Sequence, residues 1–362
     1  THNIDIQAGS KINLGKNEAV GVFLGTDAAT GVQANGVRIN DAGSIMNIGD
    51  NSYGYVLKGT GTTFTNSSSG SVTLGTKSVY LYSDDTTGNI TNNVALTSNG
   101  STAGTTLTSA TGGQNYGIYS AGTVVNNANI DFSKGIGNVG IYSIKGGTAT
   151  NDGGTITVGE SYVSDSANSL YSIGMGAGYD TTDTGNIINK GTIKVNGKFS
   201  IAMYASGAGS TAINEAGSKI ILDADNTTGI YADNGATAIN SGTIKTGSGP
   251  YSDVVGVYLG QDSKLINNKG ATIDINSSNG IGVYLKGGTV ANYGTLKVNG
   301  ETDDNKTTYI FTTPPTGKEI GGVSIDAPAG ATSATITVNG VPQTPVADNT
   351  IAVIHIHVSL TR

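Results

Sequence analysis

Apolar and polar positions alternate along this chain in short runs rich in Val, Ile, Thr and Tyr, separated by clusters of Gly, Asn, Asp and Ser. That is the pattern of strands and turns rather than of helices. Three such runs follow one another, and then the pattern begins again about every 26 residues. The clearest copy reads Val255-Gly256-Val257-Tyr258-Leu259, then Leu265-Ile266-Asn267, then Gly270-Ala271-Thr272-Ile273-Asp274-Ile275. Related copies carry Gly140-Ile141-Tyr142 with Asn151, Gly229-Ile230-Tyr231 with Asn240, and Gly282-Val283-Tyr284 with Asn292. With the Asn as a marker, the positions are 40, 66, 92, 126, 151, 189, 214, 240, 267 and 292. Successive steps are 26, 26, 34, 25, 38, 25, 26, 27 and 25, so two steps hold insertions. One insertion lies near Ser98 to Gly113, and the other is split between Glu160 to Asn168 and Ala177 to Thr184.

A unit with three short strands cannot close a core alone, but stacked copies pair in parallel and bury a continuous column. The expected fold is therefore all-β: a right-handed parallel β-helix of about ten coils, each of 25–27 residues with three short strands. At about 4.8 Å per coil the repetitive part makes a rod on the order of 50 Å long. Alternation then assigns the faces. In the first run the residues flanking the Gly are expected inside: Val20 and Val22, Val139 and Ile141, Val255 and Val257, Ile281 and Val283. Gly and Tyr would share the outer face. In the second run Phe64, Val124, Ile187, Ala238, Leu265 and Val290 point inward, which brings the marker Asn inside at a corner. Stacked amides there would hydrogen-bond from coil to coil. In the third run Ile156 and Val158, Ile193 and Val195, Ile273 and Ile275, Leu296 and Val298 point in, while Thr157, Lys194, Asp274 and Lys297 point out. The core is expected to be thin, aliphatic and dry.

Composition narrows the function classes. Charged residues are only 12% and Gly is 56 of 362, so Thr, Ser and Asn supply the polar surface. The net charge of -7 argues against nucleic acid and against an anionic membrane surface. Only Arg38 and Arg362 offer a guanidinium fork. There is no Cys, which excludes disulfide and thiolate chemistry. No signal peptide or membrane-crossing helix is apparent, and direct membrane insertion by this segment is not expected. The chain lacks an initial Met, and Ala8-Gly9-Ser10-Lys11-Ile12 matches Ala216-Gly217-Ser218-Lys219-Ile220, so it reads as opening midway through a coil and continuing into further chain at one or both ends. The repeat stops near Gly300. Residues 301–362, with five of the six prolines, read as a non-repetitive β cap or the start of another module after the repeats of residues 1–300.

Coils of Gly-[Ile/Val]-Tyr, an Asn, and Gly-[Thr/Ser]-Ile-x-Val, with few charges and neither Cys nor Trp, resemble the passenger domains of bacterial type V autotransporters. The likeness is greatest to the large fusobacterial-type outer-membrane adhesins, and it covers residues 1 to about 300. The resemblance implies a stalk at the outer cell surface, exported unfolded and anchored through a C-terminal β-barrel beyond this chain. It also implies attachment to other bacteria or host cells through a surface protein or glycan.

Candidate binding residues follow from the repeat. Phe23, Tyr119, Tyr142, Tyr204, Tyr231, Tyr258 and Tyr284 form one outward column beside the glycines. Such a row either offers apolar surface to a sugar or protein side chain or stacks internally to stabilise neighbouring coils. The insertions bring Tyr116, Tyr162 and Tyr179 to loops, where binding on repeat scaffolds often resides. Catalysis finds little support. Asp84-Asp85 and Asp303-Asp304 are the only adjacent acid pairs, both in Thr-rich turns without a basic partner in view, and they read as solvated loops. The three His are His2, His355 and His357, with no Gly-Asp-Ser-Gly string for a serine protease. His355-x-His357 would need further ligands to hold a metal, and calcium-binding nonapeptides are absent. No cofactor and no metal are expected. The reading is a non-catalytic adhesin stalk. The alternatives are a β-helical polysaccharide-processing enzyme or phage tail depolymerase, and a purely structural surface spacer.

Overall fold

The computed structural model describes residues 2–99, 113–163, 169–180 and 182–300 in full, and beyond them the backbone of strands between Glu301 and His357. Among the described residues every regular element is a strand, and each strand through Thr272–Ile275 pairs in parallel with the third strand after it. Three long sheets result. The first runs from Asn3–Ile6 to Thr289–Asn292, the second from Lys11–Leu14 to Thr295–Val298, and the third from Val20–Leu24 to Ile281–Leu285. Ten full coils and the first two strands of an eleventh make the expected right-handed parallel β-helix. The parallel pattern ends where Glu301–Asp303 turns back antiparallel on Thr295–Val298, and the later strands pair antiparallel among themselves.

The marker asparagines from Asn66 on are inside, buried except for the half-buried Asn292 of the last coil, and they form one unbroken amide ladder. Each Nδ2 donates to the next coil's Oδ1 along Asn66, Asn92, Asn126, Asn151, Asn189, Asn214, Asn240, Asn267 and Asn292, at 2.7–3.0 Å. Second Nδ2 protons reach backbone carbonyls of the same corner, for example Val94, Ala128 and Gly154. The ladder is therefore satisfied in a setting where a lone amide would be costly. It does not begin at Asn40. Register places Asn40 beside Thr65 and Asp41 beside Asn66, so the marker of that coil is a carboxylate one residue later. Asp41 is buried and accepts from the Ser44 hydroxyl at 2.6 Å, the Ser44 N–H at 2.7 Å and the Tyr55 hydroxyl at 2.8 Å.

The third sheet departs from simple alternation. Of the residues flanking the Gly, only the second enters the main core: Ile118, Ile141, Ile230, Val257 and Val283 are buried there. The first stays outside. Val20 is exposed, Val255 and Ile281 are half-buried, and Val139 packs with Tyr142 in a separate outer cluster. The Gly itself faces inward. A Cβ on Gly140 would lie 2.5 Å from the Gly174 carbonyl oxygen and 2.9 Å from Ile156 Cγ2, and one on Gly256 would lie 2.5 Å from the Gly282 oxygen. Two successive residues thus point in, and where the first is Gly the next coil's carbonyl fills its side-chain space. Ala202 takes this position in one coil and Tyr80 in another.

Nor is the core purely aliphatic and dry. Tyr55, Phe64 and Tyr80 meet edge to face at 4.8–6.5 Å in the early coils, and Asn66 Nδ2 donates to the Tyr80 hydroxyl at 2.9 Å. A second buried polar column, of Ser52, Ser78, Asn115, Asn138, Ser172, Ser200 and Thr227, lines the corner between the second and third sheets. It ties turn to turn: Ser78 Oγ donates to the Gly49 carbonyl, Asn115 Nδ2 to that of Gly75, and Ser200 Oγ to that of Gly159. The residue ahead of it is left-handed in most coils, as at Asn51, Lys77, Gln114, Asn226 and Asp253. The second-run and third-run assignments hold, except that Val290 and Val298 in the last coil are only half-buried.

Two substitutions test this packing. Asn189→Ala leaves Asn151 Nδ2 and Asn214 Oδ1 each short of a partner, and chemical denaturation should show a loss of about 2 kcal/mol or more. Gly256→Ala forces a methyl against the neighbouring carbonyl and should cost about 1–3 kcal/mol, whereas an exposed-face change such as Lys297→Ala should lie within about 0.5 kcal/mol of zero.

Candidate binding surfaces

The outward position of the third sheet carries, coil by coil, Phe23, Val56, Tyr82, Tyr119, Tyr142, Gly176, Tyr204, Tyr231, Tyr258 and Tyr284. The rings stack nearly parallel, with centroids 5.5 Å apart for Tyr82 and Tyr119, 5.7 Å for Tyr119 and Tyr142, 4.2 Å for Tyr231 and Tyr258, and 4.9 Å for Tyr258 and Tyr284. Stacking along the rod axis turns each ring face toward the next ring, so what reaches solvent is mostly edge and hydroxyl. The column is two ladders rather than one. Gly176 interrupts it, and Tyr142 leans across that glycine to donate its hydroxyl to the Gly178 carbonyl at 2.5 Å. Phe23 is separated from the column by Val56 and is 58% exposed.

Of the loop tyrosines, Tyr116 belongs to the column's flank. It meets Tyr119 and Tyr142 edge on at 5.6 and 6.4 Å, in an outer cluster with Val139, Ile144 and Ile173. Tyr162 is bonded to Leu170 through both backbone groups at the base of the second insertion, and Tyr179 to Asp183 in a hairpin that leaves the ring 66% exposed. Both parts of that split insertion flank the coil that lacks a column ring, because they precede and follow the strand Ile173–Ala177. Residues 100–112 of the first insertion, 164–168 of the second, and Thr181 lie outside the described residues. So do the side chains of His355, His357 and Asp303, and all of Asp304.

The acid pair Asp84-Asp85 is not a solvated loop. The Asp84 carboxylate accepts from Lys145 Nζ two coils away, a basic partner that 61 residues of sequence separation conceal. Asp85 is buried and holds its turn through the N–H groups of Thr62 and Thr87 and the Thr87 hydroxyl. Lys145 in turn donates its backbone N–H to Asp183 at 2.6 Å, which fastens the Tyr179 hairpin. Among the described residues no group of three or more His, Cys, Asp or Glu is placed to hold a metal ion. No helix there is long and apolar enough to cross a membrane.

Three features were not picked out from the sequence. Tyr82 extends the column, and Ser78-Val79-Tyr80-Leu81-Tyr82 hides it because Tyr80 stands where the repeat has Gly. Residues 25–36 form a third long corner loop, closed by a bridge between Thr26 and Gln33 and by Asp27 accepting from Ala29, Thr30 and the Thr30 hydroxyl. The first coil has Ile6 where later coils have Asn, so no marker exposed that long step. Finally, two open grooves of about 440 and 460 Å³ adjoin at Asp223. There Asp223 accepts from the Tyr251 hydroxyl and lies 3.4 Å from Lys194 Nζ.

A three-sheet parallel solenoid with shallow grooves on its outside is the architecture of the pectate-lyase-like domains. The chain belongs to the family described as the BigA third pectate lyase-like domain, whose model matches residues 2–247 and again residues 213–309. The double match follows the repeat, since one block of coils aligns in more than one register. No curated protein matches the chain.

Burial raises the hydroxyls of Tyr82, Tyr119, Tyr142, Tyr204, Tyr231 and Tyr258 above the ordinary phenol range. Tyr119 is pushed up to about 12, chiefly by desolvation and then by the neighbouring phenols Tyr116 and Tyr82, and Tyr142 and Tyr231 rise further for the same leading reason. Because the folded state holds the neutral form, this stabilisation is complete below the free phenol value near 10 and is lost as pH rises through the folded value. Ultraviolet titration should show a large fraction of the phenols ionising only above pH about 11, with stability falling between about pH 10 and 12.

Proposed function

We propose that this chain is the β-helical stalk of a bacterial cell-surface adhesin, an autotransporter-type passenger segment that attaches its cell to other bacteria or host cells and performs no catalysis. What carries the reading is the unbroken amide ladder through nine coils in a chain without cysteine. Such a rod gains its rigidity from its own stacking. It needs neither a disulfide nor a bound ion, and a cysteine-free chain suits export in an unfolded state. Membership of the BigA third pectate lyase-like domain family supports a surface role. Anchoring at the outer membrane, type V secretion and a part in virulence belong to the same proposal, as does a partner that is a surface protein or glycan.

Within this reading the tyrosine column is mainly structural, since its rings cover one another, and the partner is met at the corner loops. A second reading, processing of a polysaccharide, draws on the groove where Asp223, Lys194 and Tyr251 meet.

Attachment of the purified chain to bacterial and epithelial cells tests the proposal. Changing Tyr231, Tyr258 and Tyr284 to Ser should lower stability by about 0.5–1.5 kcal/mol per lost stack and leave attachment intact. Deleting residues 181–185 should weaken attachment with the β spectrum unchanged. Absence of attachment, or release of reducing ends from polysaccharides by the chain, would reject the stalk in favour of a spacer or an enzyme.

A further inference from the structure

The corner between the second and third sheets holds an aromatic residue in its left-handed position, which other coils give to polar residues such as Asn51, Lys77, Gln114, Asn226, Asp253 and Asn279. In the coils that follow, the left-handed position of this turn is taken by Asn226, Asp253 and Asn279, at φ of 54°, 57° and 52°. These are short polar residues that tolerate that conformation. Phe199 occupies the same position at φ 61°, with its ring 40% exposed. A bulky residue in this conformation is strained and gains little burial in return, a combination that marks functional sites more than structural ones. Register places Tyr171, 43% exposed, on the rung below, since Ile173 pairs with Ile201.

Phe199 borders the groove of about 440 Å³ through its neighbour Lys198 and through its N–H on the Asp225 carbonyl, and Glu160, Lys198, Asp225 and Tyr251 stand in the groove's walls. Its groups are positioned in advance. The Tyr251 ring is held by its hydroxyl on Asp223, and Asp225 Oδ1 accepts the Ser252 N–H at 2.9 Å. The Glu160 carbonyl accepts from the Ser172 hydroxyl at 2.8 Å, which fixes the base of the second insertion against the groove.

We propose that this groove is a binding site for a neutral oligosaccharide, an inference that rests on the attachment role and names its partner's chemistry. Exposed ring faces suit the C–H face of a pyranose. Carboxylates and an ammonium around them suit vicinal hydroxyls. Three carboxylates (Glu160, Asp223 and Asp225) stand against Lys198 in the walls, and Lys194 pairs with Asp223, so a uronate or phosphate polymer meets net repulsion. An open, shallow groove on a rigid scaffold admits a chain without an end, as a surface glycan requires.

Calorimetric titration of the whole 362-residue chain with cellohexaose, mannohexaose, xylohexaose and chitohexaose, and with hexagalacturonate as the acidic comparator, tests the site. At least one neutral hexasaccharide should bind, and hexagalacturonate more weakly. Phe199→Asn should reduce that affinity by about tenfold or more while holding or raising the melting temperature, because Asn suits the conformation. Tyr171→Ser should weaken binding as well. Binding of hexagalacturonate alone, no binding of any neutral probe, or wild-type affinity in Phe199→Asn would each overturn the site. Cell attachment that persists without any hexasaccharide binding would discard this site and keep the stalk, whereas sugar binding without cell attachment would do the reverse.

Discussion

Every coil of this protein must be superimposable on the next, and the buried asparagine ladder is the interaction that enforces it. A hydrophobic contact tolerates a shift of a residue or a change of size, but an amide in a dry corner has to find the next amide at 2.7–3.0 Å or lose its partner. Once nine asparagines are in line, the strands around them have a fixed register. The aliphatic residues of the second and third sheets then fall into one column, and the phenols outside the third sheet fall into another. Insertions are confined to corners, since an extra residue inside a strand would break the amide line. The two long steps obey this rule: the ladder passes from Asn92 to Asn126 over 34 residues at 2.8 Å and from Asn151 to Asn189 over 38 residues at 3.0 Å.

The fold was legible because its period is carried by residue types with distinct physical roles. The inward Asn, the Gly-Ile-x-Val run and the outward Tyr could each be placed from alternation alone. Errors arose where local identity and backbone geometry diverged. Asn40 looked like a marker, but the ladder position is Asp41, and only the strand register could show it. Val139 and Val255 looked like core beside their glycines, yet the chain turns two successive residues inward there, a departure from period two that single-strand patterns do not encode. The burial of Tyr55 and Tyr80 is not legible in the sequence, because the repeat expects Ile and Gly at their positions.

The candidate surfaces were less legible, for a different reason. Side chains that meet across coils are separated by 25 to 61 residues in sequence, as in Lys194 with Asp223 and Lys145 with Asp84. Only stacking brings them together. Phe199 carries a signal that was available in principle, because the turn position it fills holds Asn or Asp in the coils that follow. Its meaning depended on knowing the backbone conformation. The second polar column of Ser, Asn and Thr is likewise visible as a small polar residue two places before Gly54, Gly117, Gly140, Gly174 and Gly229, yet its burial is not.

The break in the tyrosine column at Gly176 coincides with the coil that carries the split insertion. In a solenoid each coil is held only by its two neighbours, so stability is a sum of local terms and a missing term cannot be averaged away. The rod is thus two stiff segments, one stacked through Tyr142 and one from Tyr204 onward. They meet at one coil where the ring stack is absent, while the amide ladder and the strand pairing of all three sheets run through without interruption. The coil that gives up its ring within the stack is thus the one that carries the split insertion on both sides of its strand.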